Sequence, residues 1–234
     1  MGRDAIEVSQ PLLATDSDHH HHHVHADLVT AAHWGKRCFD AVAAAFLIAL
    51  LAPLFLGVAL AVKLHDGGPV LFRQTRLGRG GRHFRIAKFR TMVVDAEACL
   101  LVDPQLFARY VRNDFKLDLT EDVRVNRLGR FLRASSLDEL PQLLNVLRGD
   151  MSLVGPRPIV QPELAEYHAR GAAAAYLSGR PGVTGLWQVS GRNRLGYDDR
   201  IQLDLMYVAS PSLATDVRIL LRTPLAVLRR DGVH

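Results

Sequence analysis

Residues 36 to 63 read K-R-C-F-D-A-V-A-A-A-F-L-I-A-L-L-A-P-L-F-L-G-V-A-L-A-V-K. From Ala41 to Val62 the chain is almost unbroken apolar sequence, roughly 22 residues, and one crossing of a bilayer core takes about 20. Pro53 stands at the centre of the run. A proline there removes a backbone donor and crowds the preceding turn, so the segment can bend halfway and return to the side it entered. The flanking charges agree with that. Lys36 and Arg37 precede the run, Lys63 follows it, and a basic stretch with Arg73, Arg76, Arg79, Arg82, Arg85, Lys88 and Arg90 comes next. Basic residues on both sides place both ends in the cytoplasm. The reading is a re-entrant helix, broken at Pro53; a single kinked span with its N-terminal arm outside satisfies the length equally well. The run is too long for a signal-peptide core and has no small-residue cleavage site, so it is expected to stay in the chain.

Composition narrows the partners. The 234 residues hold 29 Lys and Arg against 24 Asp and Glu, with a pI near 9.6. Such an excess calls for an anionic partner, and beside a membrane segment that means lipid headgroups or phosphorylated substrates before nucleic acid. Cys38 and Cys99 offer neither a zinc spacing nor a disulfide framework, which fits a reducing compartment. The first 34 residues show no periodic pattern and carry H-H-H-H-H-V-H at His19 to His25, so they are expected to lack a fixed fold. A flexible tract of that kind gives a metal no fixed geometry. The organisation expected is a His-rich tail at 1–34, a re-entrant membrane helix at 35–63 and a cytosolic domain at 64–234. No internal repeat is visible, which disfavours solenoid and transporter architectures.

Past the membrane segment, G-P-V-L-F-R-Q-T-R-L-G and H-F-R-I-A-K-F-R-T-M read as two strands joined by the Gly-rich turn R-G-G-R. A helix is expected from Asp95, and another over V-R-V-N-R-L-G-R-F-L-R. In S-S-L-D-E-L-P-Q-L-L-N-V-L-R-G, Ser136 with Glu139 three residues on predicts a capping box, and Gly149 ends the helix. M-S-L-V leads into the stiff turn G-P-R-P, then P-E-L-A-E-Y-H-A-R-G-A-A-A-A-Y-L is helical in composition. R-P-G-V-T-G-L-W-Q-V-S-G-R-N reads as turn, short strand and turn. The C-terminal stretch has a helical rhythm broken at Pro224, with Arg218, Arg222, Arg229 and Arg230 on it; a basic amphipathic helix on a membrane surface and a core-packed helix with solvated arginines fit it about equally.

Acidic residues are scarce around the basic hairpin, so Asp95 and Glu97 stand out. An aspartate at a helix start most often caps it. The same place also suits chemistry, because exposed amides attract phosphate oxygens while Lys88 and Arg90 add full charges, and a carboxylate there can bind a divalent ion or attack phosphorus. Arg157 in G-P-R-P leaves a backbone stiffened by two prolines, which suits either a phosphate clamp or a structural arginine. Arg127, Arg130 and Arg133 recur every third residue and read as a solvated face. Asp138 and Glu139 read as acids stabilising the first turn of a capped helix. Trp187 and Gln188 lie between two Gly-containing turns, where a base or sugar can stack on the indole, although a core tryptophan is the commoner case.

Four features occur in order: the Pro-broken apolar segment, K-F-R-T-M at 88–92 followed by acids, S-L-D-E-L-P-Q-L-L-N-V-L-R-G-D-M-S-L-V-G-P-R-P at 136–158, and R-P-G-V-T-G-L-W-Q-V-S-G-R-N at 180–193. On these the chain resembles the bacterial sugar transferases, monotopic polyprenyl-phosphate phosphoglycosyl transferases, from about Lys36 onward. The resemblance implies an α+β fold: an N-terminal re-entrant membrane helix broken at a proline, then a small cytosolic α/β catalytic domain with amphipathic surface helices. It implies an enzyme of the cytoplasmic face of the bacterial inner membrane that uses Mg²⁺ to move a sugar-1-phosphate from a UDP-sugar to undecaprenyl phosphate, releasing UMP and initiating exopolysaccharide synthesis. An Asp of an Asp-Glu pair attacks the β-phosphorus in such enzymes. Here Asp95 takes that part, with Glu97 as its partner at the metal, and Lys88, Arg90, Arg133, Arg157, Trp187, Gln188 and Arg192 as substrate contacts. Galactose or glucose 1-phosphate is the donor group that the C-terminal motif suggests. Expected partners are the UDP-sugar, undecaprenyl phosphate and the inner membrane, with no nucleic acid and with a homo-oligomer allowed. The competing reading is a peripheral scaffold or regulator holding anionic lipid on its basic surface.

Overall fold

The computed structural model describes residues 17–112, 117, 122–191 and 194–228. Helix α1 runs Ser17–Leu50 and α2 runs Ala52–Asp66. Among the described residues no single helix is long and apolar enough to cross a membrane; Trp34–Leu50 and Ala52–Asp66 together reach that length and composition, and they meet at a bend of 64°. Leu51 is the joint and Pro53 lies in the first turn of α2, where its missing N–H leaves no intrahelical bond unmade. Residues 17–34, expected to lack regular structure, belong to α1. They contain no proline or glycine, so nothing in that stretch interrupts a helix extending backward from the apolar segment.

Residues 39–234 form one compact unit. The two expected strands are β1 (Leu71–Leu77) and β2 (His83–Phe89), antiparallel with Leu71 opposite Phe89 and Leu77 opposite His83. A 3-10 turn at Arg79–Gly81 joins them. Helices α3 (Ala96–Val102) and α4 (Pro104–Arg112) follow, then α5 (Arg127–Ala134) and α6 (Gln142–Arg148). The parallel pair β3 (Ser152–Val154) and β4 (Gly182–Thr184) brackets α7 (Leu164–Ala169) and α8 (Ala173–Ser178). Last come α9 (Leu186–Ser190), α10 (Tyr197–Ala209) and α11 (Leu213–Leu228). The fold is α+β, as expected.

The hairpin does not stand apart from this domain. Ala44 of α1 is in the core formed by Phe84, Ile86, Leu143, Val146, Met151 and Ile219, and Val58 and Val62 of α2 pack with Phe89 and Leu132. Asp40, only 2 % exposed, accepts hydrogen bonds from Ser152 Oγ at 2.7 Å and from the Leu153 amide at 3.2 Å, so it joins α1 to β3. The opposite faces stay bare: Val42, Phe46, Leu50, Leu56, Leu60 and Leu64 are exposed large apolar side chains.

Three local expectations are corrected. Helix α5 starts at Arg127, four residues after the expected Val123, because Asn126 caps it, accepting from the Gly129 amide at 2.6 Å. The five residues after Gly185 form α9, not a turn. Helix α11 continues through Pro224.

The expected capping box at Ser136 is also absent. Ser136 makes no capping bond and has φ 55°, and Leu137–Glu139 form a 3-10 turn before α6 begins at Gln142. Pro141 is the reason: its ring crowds the carbonyl four residues back and it has no N–H to give, so no α-helix can run from Leu137 through it without distortion.

Candidate functional site

That turn carries the site. Asn145 of α6, fully buried, accepts from the Ala87 amide at 2.9 Å and donates to the Arg85 carbonyl at 2.8 Å, which fixes the edge of β2 against α6. Lys88, the next residue, then reaches Glu139, Nζ to Oε1 2.6 Å. Beside it Asp138 is 7 % exposed. Burial, and after it the charge of Glu139, push the Asp138 carboxyl up to about 6, against the opposing pull of Lys88 and Arg133. Arg133 donates from Nε to Thr91 Oγ1 at 2.9 Å. Gly129 makes that contact geometrically available, because a Cβ there would collide with the Thr91 carbonyl and hold α5 away. Burial pulls the Arg133 guanidinium below its ordinary range, with Asp138 and Asp122 acting against it.

A second group of cations adjoins this one. Arg157 is the expected rigid turn, and tertiary bonds hold it as well as its prolines: its amide donates to Asp204 Oδ2 at 3.2 Å and its carbonyl accepts from Tyr176 Oη at 2.6 Å. Arg76 of β1 donates to the Pro158 carbonyl at 3.1 Å, and Arg76 and Arg157 both lie 3.6 Å from Glu163. Burial first and Arg157 second lower Arg76, and the same two causes lower Arg200. Two guanidiniums depressed by the charge of the same third one are short of negative charge. Glu139 also acts on Arg76, which ties this group to the carboxylate pair. Behind it, burial raises Asp204 to about 7, with the Arg157 amide opposing.

The other sequence candidates are placed as follows. Asp95 precedes α3, exposed, with φ 62° and no side-chain capping bond, so the expected cap is not made. Its expected cations are engaged elsewhere, Lys88 with Glu139 and Arg90 with Asp66. The side chain of Glu97, and Arg192 as a whole, lie outside the described residues. Trp187 is buried, with the Arg200 guanidinium 5.4 Å from its ring centroid, so that face is not an open stacking platform. Trp187 Nε1 and Gln188 Oε1 are buried without partners. Among the described residues no three His, Cys, Asp or Glu side chains gather as a metal-ligand set.

Sequence reasoning placed Asp138 and Glu139 among the structural acids. Their adjacency, and the proline two residues beyond Glu139, were the available signals that they sit on a turn. Nothing in the sequence marked Arg76 or Arg200, since their neighbours in the site come from distant segments.

A buried carboxylate beside a half-exposed one that bonds a lysine, next to converging guanidiniums, is an arrangement suited to handling phosphoryl groups. A family model described as bacterial sugar transferase matches residues 31–230. The UDP-glucose:undecaprenyl-phosphate glucose-1-phosphate transferase of Caulobacter vibrioides is 48 % identical over 206 residues, 85 % of this chain and 72 % of that protein. The exopolysaccharide production protein ExoY of Rhizobium meliloti is 45 % identical over 203 residues, 85 % of this chain and 88 % of its own. The undecaprenyl-phosphate galactose phosphotransferase of Salmonella typhimurium is 45 % identical over 202 residues; they cover 85 % of this chain and 41 % of that protein, so the chain spans about two fifths of that relative. The chain belongs to the bacterial sugar transferase family.

Proposed function

We propose that this chain transfers a sugar-1-phosphate from a UDP-sugar to undecaprenyl phosphate at the cytoplasmic face of the inner membrane, releasing UMP. The carrying observation is Asp138: a carboxylate held 7 % exposed beside Glu139, Lys88 and Arg133. Burying a carboxylate against a second one is costly, and a fold meets that cost where the group reacts. Membership of the family and the names of the relatives supply the substrate class.

In this reading an Asp138 oxygen attacks the β-phosphorus of the donor. The bond from that phosphorus to the bridging oxygen breaks, and UMP leaves with the electron pair. An oxygen of the lipid phosphate then attacks the same phosphorus, and the bond to Asp138 breaks with its electrons returning to the carboxylate. Arg76, Arg157 and Arg200 balance the charge of the diphosphate, and the fixed backbone of Arg157 keeps its fork in place. Lys88 holds Glu139 so that Asp138 keeps its orientation. The donor set fits Mg²⁺, which takes one or two carboxylates together with substrate phosphates and needs no closed protein cage. Asp138 and Glu139 would hold it, and it would neutralise charge between the carboxylates and the diphosphate.

Asp95 carries a second reading. An exposed aspartate in the left-handed region without a capping bond is held in a costly conformation, a feature that clusters at functional sites. For the membrane, the support is the 64° bend and the bare leucines of α2. A peripheral scaffold would explain those leucines and the basic charge, but it has no use for a carboxylate buried beside a second one.

The deciding assay measures UMP release by the purified protein from UDP-galactose, UDP-glucose and their N-acetylated analogues, with undecaprenyl phosphate and Mg²⁺. Acceptor-dependent UMP from one donor supports the reading. Silence with every donor, from a folded protein that binds anionic vesicles, leaves the scaffold.

A further inference from the structure

Pro156, Arg157 and Pro158 hold a single backbone N–H between them, that of Arg157, and three carbonyls. All four groups are bonded, and each to a different element. The Pro156 carbonyl accepts from the Gly182 amide of β4 at 2.9 Å, and the Pro158 carbonyl from Arg76 of β1 at 3.1 Å. The Arg157 amide donates to Asp204 Oδ2 of α10 at 3.2 Å, and the Arg157 carbonyl accepts from Tyr176 Oη of α8 at 2.6 Å. The proline rings fix their own φ angles and keep Arg157 extended, but they leave the two peptide planes beside Arg157 free to tilt. Asp204 holds the plane before Arg157 and Tyr176 the one after it, so they set the base from which the guanidinium leaves.

A carboxylate is a costly acceptor for one amide. Asp204 Oδ2 has a second, long contact with Tyr167 Oη at 3.5 Å, and Oδ1 is buried without a partner. Holding a backbone amide needs no charge, and a neutral acceptor would leave less buried polarity unmet. The charge acts on the Arg157 guanidinium, so the same side chain that fixes this residue's backbone also faces its cation. Arg200 stands four residues before Asp204 on α10, and Arg157 acts on it too. Helix α10 thus supplies one guanidinium of the cluster and the seat of another. The rings of Tyr167 and Tyr176 pack with centroids 4.5 Å apart, which joins the two hydroxyls of this seat into one body.

We infer that Asp204 and Tyr176 are positioning residues for the diphosphate of the donor, acting through the backbone of Arg157. The inference rests on the transferase reading and adds how its phosphate clamp is aligned. Asp204 and Tyr176 are 1 and 3 % exposed, so neither reaches the donor itself. Their loss is felt at the donor only through Arg157, a signature that a general packing role lacks.

The test uses full-length protein in lipid nanodiscs with the UDP-sugar that the parent turns over. Asp204→Leu removes the acceptor, and the KM for the donor is expected to rise about tenfold with kcat within about twofold of the parent. Asp204→Asn keeps an acceptor for the amide, so its KM should stay within about threefold of the parent. In an Arg157→Ala background Asp204→Leu should add nothing to KM, because the group it aligns is gone. A parent-like KM in a folded Asp204→Leu protein, or a KM that rises by the same factor with and without Arg157, would assign Asp204 to packing and overturn the inference. Should Asp204→Leu fail to fold, Tyr176→Phe deletes only a hydroxyl and is read in the same way, with a rise in KM of about threefold expected. Hydrogen exchange needs no turnover. Between its two prolines the Arg157 amide is the sole exchangeable one; it should exchange about tenfold faster in Asp204→Leu, while Gly155, bonded to the Thr184 carbonyl, keeps its protection. That result supports the hold on the turn even if no UDP-sugar is turned over, which would sink the transferase reading alone. Unchanged exchange at Arg157 would overturn the inference by itself.

Discussion

Lys88 at the end of β2 bonds Glu139 in the turn before α6 at 2.6 Å, so the cation nearest the carboxylate pair is committed to one member of it. Asp138, the other member, keeps a raised affinity for its proton because burial and Glu139 act together on it. This division of labour sets the pH behaviour expected of the site. Removing the ammonium with Lys88→Met leaves two carboxylates facing each other. The acid limb of kcat/KM should then move to higher pH, while stability changes by about 1 kcal/mol or less because the pair is half-exposed. A pH profile that does not move in Lys88→Met would separate Lys88 from the titration of Asp138.

The Asp138 carboxyl holds its proton up to about 6 in the folded chain, whereas an unfolded aspartate loses it near 3.9. The folded pKa is the higher one, so protonation favours the native state, and stability falls as pH rises between those two values. Asp138→Asn should therefore raise the melting temperature at pH 8, by at most about 3 kcal/mol of stability, and change little at pH 3. Turnover should disappear at every pH. Differential scanning fluorimetry across pH, beside UMP release, checks both signs.

Arg157 is held by Asp204 and Tyr176 through its backbone, which leaves its guanidinium to point from a fixed base. Arg157→Lys keeps the charge and loses the planar fork, so kcat/KM for the UDP-sugar should fall about tenfold or more. An unaltered rate in a folded Arg157→Ala protein would return this arginine to a structural part.

Asp95 and Asp138 are distinguished by covalent labelling. A UDP-sugar labelled in its β-phosphate, incubated without lipid, should leave label in a peptide containing Asp138, and the label should persist in Asp95→Asn. Label lost in Asp95→Asn but kept in Asp138→Asn would reverse the assignment. Independently, Asp95→Gly should stabilise the chain by about 1 kcal/mol, since φ 62° suits glycine and strains aspartate.

The bend between α1 and α2 is expected to keep both ends of residues 36–63 in the cytoplasm. Pro53→Leu supplies the missing donor and a helix-favouring side chain, which should straighten the pair towards spanning. Cysteine-accessibility labelling from either side of the membrane reads the result, and an N-terminal probe found outside in the parent protein would refute the re-entrant reading.

What the sequence determined by itself is local. The apolar run with Pro53, the hairpin of β1 and β2 around R-G-G-R, the stop of α6 at Gly149 and the stiff turn at Arg157 are all written in neighbouring residues, because turn geometry and backbone restriction act over a few positions. The family was legible for the same reason, since its motifs are contiguous. The carboxylate pair was misread at this level. S-x-x-E matches a capping box, and only Pro141 with the pull of Lys88 turns it into a 3-10 turn with Glu139 facing away from the backbone. Tertiary structure alone decided the rest. Lys88 and Glu139 are 51 residues apart, Arg133 and Thr91 are 42 apart, and Asp40 meets Ser152 across 112. Burial and charge at such pairs depend on how α2, α5 and α6 pack on β2. A propensity or a spacing carries no trace of that packing, so the burial of Asp138 beside Glu139 appeared only once the chain had closed around it.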